Sequence, residues 1–275
     1  MDIFEHLICP VCKLSLKKYD NSLKCEAGHC FDFASSGYIN LLKPGKKNNA
    51  KAGDSREMIK ARSDFFTSSA YSPVRDTVCK LVSHYPHSLV VDAGCGEGYY
   101  TESIAKIDTP PDVIGIDMSK FGCDHGAKSG RKNALPNLIY CVGSIFELPL
   151  RDESVDLIIN MFAPVADKEF WRALKPGGHF IVAAAGKDHL DGLKSVLYDD
   201  VYPNEEKFLD YNGFELIKRE NLKFTAKICG NDTVYNLFTM TPYYHRTSLE
   251  DKGKLANLNE IDTTVEVNFL VYKKI

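Results

Sequence analysis

The chain has 275 residues, 44% of them hydrophobic, enough apolar material for one large core and a small additional module. A formal charge of −3 does not advertise a nucleic-acid partner, and no apolar run approaches membrane-spanning length. The opening Met1-Asp2-Ile3-Phe4-Glu5-His6 has neither the basic stretch nor the apolar run of a secretory leader, so a cytoplasmic, reducing setting without a membrane partner is expected.

Four of the nine cysteines fall within the first 30 residues, which points to metal rather than to disulfides. Cys9-Pro10-Val11-Cys12, Cys25 and His29 follow the spacing C-x2-C-x12-C-x3-H, that of a structural Zn2+ site of the Cys3His type. The stretch 13–24 between the paired cysteines is long enough for a hairpin, so residues 1–42 read as a small zinc ribbon. A module of this size buries too little apolar area to stand alone, and metal binding would supply much of its folding free energy. Cys30 follows His29 directly, and adjacent residues on an extended segment point in opposite directions. His29 is the favoured fourth ligand; an all-cysteine site using Cys30 is the alternative. Cys79, Cys95, Cys123, Cys141 and Cys229 read as small buried thiols.

Lys43-Pro44-Gly45-Lys46-Lys47-Asn48-Asn49 is turn-rich, and seven Lys/Arg against two acids lie between Lys43 and Arg62. This is either a partner-binding loop or a solvated linker. A helix capped by Asp54 or Ser55 runs through Arg62, and a second, capped at Ser72-Pro73, runs through Val82. Residues 43–75 are therefore a basic linker and helical connection, ahead of an α/β domain over 76–275.

That domain opens with the most informative segment. Val90-Val91-Asp92-Ala93-Gly94-Cys95-Gly96-Glu97-Gly98 reads as a strand ending in a glycine turn, with a helix from Thr101 to Ala105 beyond it. Gly94, Gly96 and Gly98 let the backbone approach a ligand that any Cβ would block. Asp117, closing Ile114-Gly115-Ile116-Asp117, falls where an acid can accept both hydroxyls of a ribose. The D-x-G-x-G-x-G spacing, Asp92 included, resembles the S-adenosylmethionine loop of class I methyltransferases more than a dinucleotide fingerprint. Further strands are expected at 113–117, 138–142, 155–160 and 180–184, after the first at 89–92, each apolar on consecutive positions as a sheet covered on both faces requires. Leu174-Lys175-Pro176-Gly177-Gly178 reads as a helix end, a proline stop and a glycine turn, and resembles class I methyltransferases at this point. Runs at 215–218 and 264–272 are expected to close the sheet as an antiparallel pair. The expected fold is a class I, Rossmann-like α/β domain with a mostly parallel seven-stranded sheet.

The whole chain resembles a 23S rRNA (guanine-N1)-methyltransferase of the RlmA/RrmA type. The resemblance rests on the cysteine cluster, Gly37-Tyr38-Ile39-Asn40-Leu41-Leu42, Gly53-Asp54-Ser55 with Glu57-Met58, Tyr71-Ser72-Pro73, the glycine loop, Phe162-Ala163-Pro164, Asp188-His189-Leu190 and Met240-Thr241-Pro242. It implies S-adenosyl-L-methionine as cofactor, a 23S rRNA hairpin as partner and a homodimer. By position it implies that Cys9, Cys12, Cys25 and His29 hold zinc and that Tyr71, Gly96, Glu97 and His189 touch the cofactor.

Guanine N1 is protonated at neutral pH and lies on the pairing edge, so the base must be unpaired or extruded and must lose that proton. Asn160, ending the strand before Met161-Phe162, is a candidate for positioning the base but not for taking the proton. Phe162 either stacks on the base or packs in the core. The competing functions are a small-molecule methyltransferase with a zinc-ribbon lid and a non-catalytic RNA-binding module.

Overall fold

The computed structural model describes residues 2–43, 53–206 and 209–275. Lys46, Lys47, Lys51 and most of the expected linker lie outside the described residues.

The ribbon is a three-stranded antiparallel sheet of β1 (Lys17–Tyr19), β2 (Ser22–Lys24) and β3 (Cys30–Asp32), with the expected hairpin between β1 and β2. β4 (Ile39–Asn40) then leaves the ribbon and pairs in parallel with Cys141 and Val142. Next come α1 (Arg56–Phe66), whose cap Ser55 accepts from Met58 N–H, and α2 (Ser72–Ser83). Ser72 is inside α2 rather than its cap; Tyr71 holds that place without a side-chain cap bond.

β5 (Leu89–Ala93) is buried at every position because the sheet is covered on both sides. Val90 faces one core with Val78 and Leu237, while Val91 and Ala93 face the other. The remaining elements are α3 (Tyr99–Ile104), β6 (Asp112–Asp117), α4 (Lys120–Lys132), β7 (Leu138–Val142), β8 (Val155–Met161), α5 (Asp167–Ala173), β9 (Leu174–Ala185), α6 (Asp191–Leu197), β10 (Phe214–Cys229), α7 (Asn231–Thr239), α8 (Leu249–Gly253) and β11 (Glu260–Lys274). The large sheet has the order β10-β11-β9-β8-β5-β6-β7-β4. All its strands run in one direction except β11, which is antiparallel to both neighbours.

The sheet has eight strands rather than the seven expected, because the two-residue β4 is too short for an apolar period to reveal. The final hairpin is far longer than 215–218 and 264–272 suggested, since its register continues from Phe214 to Cys229. Lys175 to Gly178 form the expected turn, but inside β9: Leu174 pairs with Val155 and His179 with Leu157, so the intervening residues loop out. Cys95, Cys123 and Cys141 are buried as expected, whereas Cys229 is exposed on the edge strand.

The ribbon does not fold on a core of its own. Leu7, Leu16 and Leu23 belong to the same buried cluster as Ile114, Ile158 and Phe180 of the large sheet. The missing apolar area of so small a module is thus supplied by its neighbour.

Candidate active site

The sheet opens at the carboxyl end of β5. Gly94, Gly96 and Gly98 all have positive φ, at 90°, 55° and 97°, a region costly for residues with a Cβ. Space is also lacking: a Cβ on Gly98 would lie 2.2 Å from Tyr140 Oη, and one on Gly94 2.6 Å from Ala163 Cβ. The Ile116 carbonyl accepts from the N–H groups of Gly94 and Cys95 at 2.8 and 3.2 Å, which ties the loop to β6.

Asp117 ends β6 beside this loop. Its Oδ2 accepts from Gly96 N–H at 3.0 Å and its Oδ1 from Ser119 N–H at 2.6 Å. Burial raises its pKa against those two bonds. A carboxylate oxygen has a second lone pair, so both oxygens retain capacity for ribose hydroxyls.

Asp92 is 1% exposed. Thr101 Oγ1 donates to its Oδ2 at 2.6 Å, but Oδ1 has no partner among the described residues. Burial lifts this carboxyl to about 7, with the Thr101 bond opposing and Asp117 and Glu97 adding. A buried acceptor left without a donor beside a glycine loop fits a ligand that brings a donor or positive charge, as the ammonium of S-adenosylmethionine does.

The Glu97 side chain does not point to open space. It is buried and paired with Arg62, whose Nη1 lies 3.4 Å from Glu97 Oε2 and whose Nη2 lies 2.5 Å from Asp54 Oδ2. Burial raises the Glu97 pKa and Arg62 opposes it.

Tyr71 and His189 meet although 118 positions apart, with Tyr71 Oη 3.2 Å from His189 Nε2. Glu266 N–H donates to His189 Nδ1 at 3.2 Å, so the neutral ring carries its proton on Nε2 and donates to Tyr71. Burial holds the His189 pKa down at about 4. The phenolic proton of Tyr71 is thereby left for a ligand.

Asn160 is fully buried. Its Nδ2 donates to the carbonyls of Ala93 at 2.8 Å and Pro164 at 3.1 Å, bracing the end of β5 against the turn after β8. Phe162 in that turn is 44% exposed, sits at φ 54°, and stacks on His189 with ring centroids 5.9 Å apart. Of the two readings of Phe162, core packing is excluded by this exposure.

At the ribbon, the Sγ atoms of Cys9, Cys12 and Cys25 and a ring nitrogen of His29 all lie within 4.8 Å of one another. Cys9 Sγ to His29 Nδ1 is 3.5 Å, Cys12 Sγ to Cys25 Sγ 3.6 Å, and Cys25 Sγ to His29 Nδ1 3.3 Å. Bonds of about 2.3 Å to sulfur and 2.1 Å to nitrogen around a tetrahedral zinc give ligand separations of this size. Cys30 is exposed on β3 and directed at Asp32 instead.

Reading the sequence alone missed three contributors. Arg62 counted only as surface charge, yet it neutralises the buried Glu97; Thr101 holds Asp92, and Glu266 sets the His189 tautomer. None follows a local motif, because each acts across a tertiary contact.

The glycine loop, the acid ending the next strand and the sheet order define a class I methyltransferase, with S-adenosylmethionine as its cofactor and a structural zinc in the ribbon. The RlmA N-terminal zinc-ribbon family matches residues 7–51, and a methyltransferase-domain family matches residues 85–250. A 23S rRNA (guanine(748)-N(1))-methyltransferase of Streptomyces fradiae is 30% identical, over 98% of this chain and 97% of its own length. YxjB of Bacillus subtilis, provisionally named a 23S rRNA (guanine-N1)-methyltransferase, is 28% identical over 98% of each chain. A provisionally named counterpart from Micromonospora griseorubida is 33% identical over 69% of this chain and 68% of its own. This chain belongs to the 23S rRNA (guanine-N1)-methyltransferase family. No helix among the described residues is long and apolar enough to cross a membrane.

Proposed function

We propose that this protein transfers the methyl group of S-adenosylmethionine to N1 of a guanine in a 23S rRNA hairpin. The observation that carries the reading is Phe162, an exposed aromatic at positive φ one residue from the glycine-loop contact Ala163. An extruded base needs such a platform beside the donor methyl. The names borne by near-full-length relatives support the same substrate.

In this reading Asp92, Gly94, Gly96, Glu97, Gly98 and Asp117 seat the cofactor, Glu97 through its backbone, and Tyr71 and His189 close the seat. Asn160 acts by bracing the turn that presents Phe162. Bound there, the cofactor supplies an electrophilic methyl on sulfonium, and the protein's task is alignment and exclusion of water. Cys9, Cys12, Cys25 and His29 hold the zinc. The ribbon of residues 1–42 and the basic 43–75 segment grip RNA phosphates ahead of the catalytic 76–275. Lys17, Lys24 and the half-exposed Tyr19 on the ribbon hairpin support that role. A cytoplasmic homodimer belongs to the same proposal; the 16-residue β10 at the sheet edge offers a second copy a long surface.

Mass mapping of methylated guanines in 23S rRNA from cells with and without the gene tests this. A single N1-methylguanine should vanish with the gene and return with it. Unchanged rRNA, or transfer by the purified protein that survives RNase and is insensitive to salt, would turn the assignment toward a small-molecule acceptor.

A further inference from the structure

Residues 230–259 join β10 to β11 and carry α7, α8 and a single helical turn at Pro242–His245. β11 pairs with β9 only from Val267 onward, so its first residues, and this connection with them, project past Ala185 at the carboxyl end of the sheet, where the glycine loop lies. Tyr244 of the turn donates to Glu57 of α1 at 2.9 Å, and α1 in turn reaches the glycine loop through Arg62 and Glu97. Between this cap, α6 and the loop that follows α6 lies a cleft of about 540 Å³, lined by Lys194, Tyr198, Tyr202, Asn204 and Tyr243 among others.

The cleft is bonded directly to the residue that carries the base platform. Asn204 donates from Nδ2 to the carbonyls of Gly186 at 2.9 Å and His189 at 3.0 Å, and its Oδ1 accepts from Tyr243 Oη at 3.3 Å. His189 is thus held at its carbonyl by the cleft lining while its ring stacks on Phe162 and meets Tyr71. Tyr243 also lies near enough to Tyr71 to add to the burial that raises that phenol's pKa. Most of the lining is committed. Tyr198 Oη bonds Thr247 Oγ1 at 2.6 Å, and Lys254 pairs with Asp251 at 2.8 Å and Asp199 at 3.8 Å, which leaves Asp200 as an exposed carboxylate at the rim. Two groups are not committed. Lys194 is 5% exposed, yet its ammonium donates to the Tyr202 carbonyl at 3.2 Å and pairs with no carboxylate among the described residues. An ammonium has three donors, and a buried one fits an anion. The Tyr202 ring is 77% exposed at the same cleft, with a free face for stacking. An anion site and a stacking face beside the acceptor slot are together the needs of a nucleotide.

We propose that this cleft receives one nucleotide next to the target guanine in the RNA strand, its phosphate on the Lys194 ammonium and its base on the Tyr202 ring; the inference rests on the function proposed above. Held there, the neighbour cannot restack on the guanine, which keeps the target base extruded toward Phe162. Stacking tolerates any base, so the cleft fixes the position of the strand rather than reading its sequence.

The test uses the full-length, zinc-loaded protein and a synthetic hairpin spanning the guanine that mass mapping identifies, with binding read by fluorescence anisotropy. Tyr202→Ala should weaken binding of this hairpin by about 5- to 150-fold, the span of one base–aromatic stack, while affinity for S-adenosylmethionine in calorimetry is unchanged. Removing the base, but not the sugar, from one of the two nucleotides flanking the guanine should weaken the wild type as much and cost Tyr202→Ala nothing further. Lys194→Met should reduce the slope of log affinity against log salt by about 0.7, the share of one single-strand phosphate, a change that a merely structural lysine does not produce. If Lys194→Met does not fold, Tyr202→Ala and the abasic hairpins decide the matter. A loss below about threefold for Tyr202→Ala, losses that add at both neighbours, or an unaltered salt slope overturns the assignment while leaving the function standing. A wild-type protein that methylates no guanine removes the function and this assignment together.

Discussion

Replacing Asp92 by Asn should make the cofactor-free protein more stable at pH 8 and no more stable at pH 4.5. The native carboxyl is lifted from 3.8 to about 7. At about 1.36 kcal/mol per unit, holding the charge there costs roughly 4 kcal/mol above pH 7. A group with a raised folded pKa keeps its proton in the fold longer than in the unfolded chain, so the wild type loses stability as pH rises from about 4 to 7 and then levels. Asn keeps the Thr101 bond and carries no charge. It leaves an amide donor without a partner, at about 1–3 kcal/mol. The balance at pH 8 is a gain of roughly 1–3 kcal/mol, or some 2–12 °C in Tm for a chain of this size. Thermal unfolding at pH 4.5, 6 and 8 reads it directly, and the two curves of Tm against pH should cross. The stabilisation that S-adenosylmethionine confers should shrink in the variant, and methylation should be lost while zinc stays near one per chain. A Tm difference that stays constant across this range would refute the claim that burial of an ionised Asp92 is what the fold tolerates for the cofactor.

Chelation of zinc should lower the Tm of the whole protein rather than melt the ribbon alone, because Leu7, Leu16 and Leu23 share a core with the large sheet; Cys30→Ser should retain the metal by elemental analysis, whereas His29→Ala should lose it. Arg62→Met leaves Glu97 buried and unpaired, so denaturant unfolding should show a loss of about 3 kcal/mol or more. Gly98→Ala combines φ 97° with a 2.2 Å approach to Tyr140 Oη, and should cost at least about 1–3 kcal/mol in unfolding free energy and reduce cofactor affinity in calorimetry.

The site was unevenly legible. The zinc cluster could be read because its candidate ligands fall at short spacings that one ion dictates; strand alternation said only that one of His29 and Cys30 could face the ion, and the tertiary structure gathers His29 with the three cysteines. Glycines at 94, 96 and 98 and the acid at 117 could be read because a tight strand-to-helix turn next to a ligand admits few residue types. Asn160 and Phe162 were visible only as candidates. Whether an aromatic after a strand is core or platform depends on what lies above it, and here His189 from another strand end decides it.

By itself the sequence determined the central strands from 89 to 184, the helices ahead of them, the metal knuckle and the glycine loop, since each depends on periodicity or spacing within a few residues. Only the tertiary structure decided that Ile39–Asn40 would extend the sheet, that Arg62 would neutralise Glu97, that Glu266 would set the His189 proton, and that Lys223 would meet Asp188. Those pairings join residues far apart in the chain. Their energies depend on burial and on the partner that arrives from elsewhere, and neither quantity exists until the sheet has brought the strand ends together.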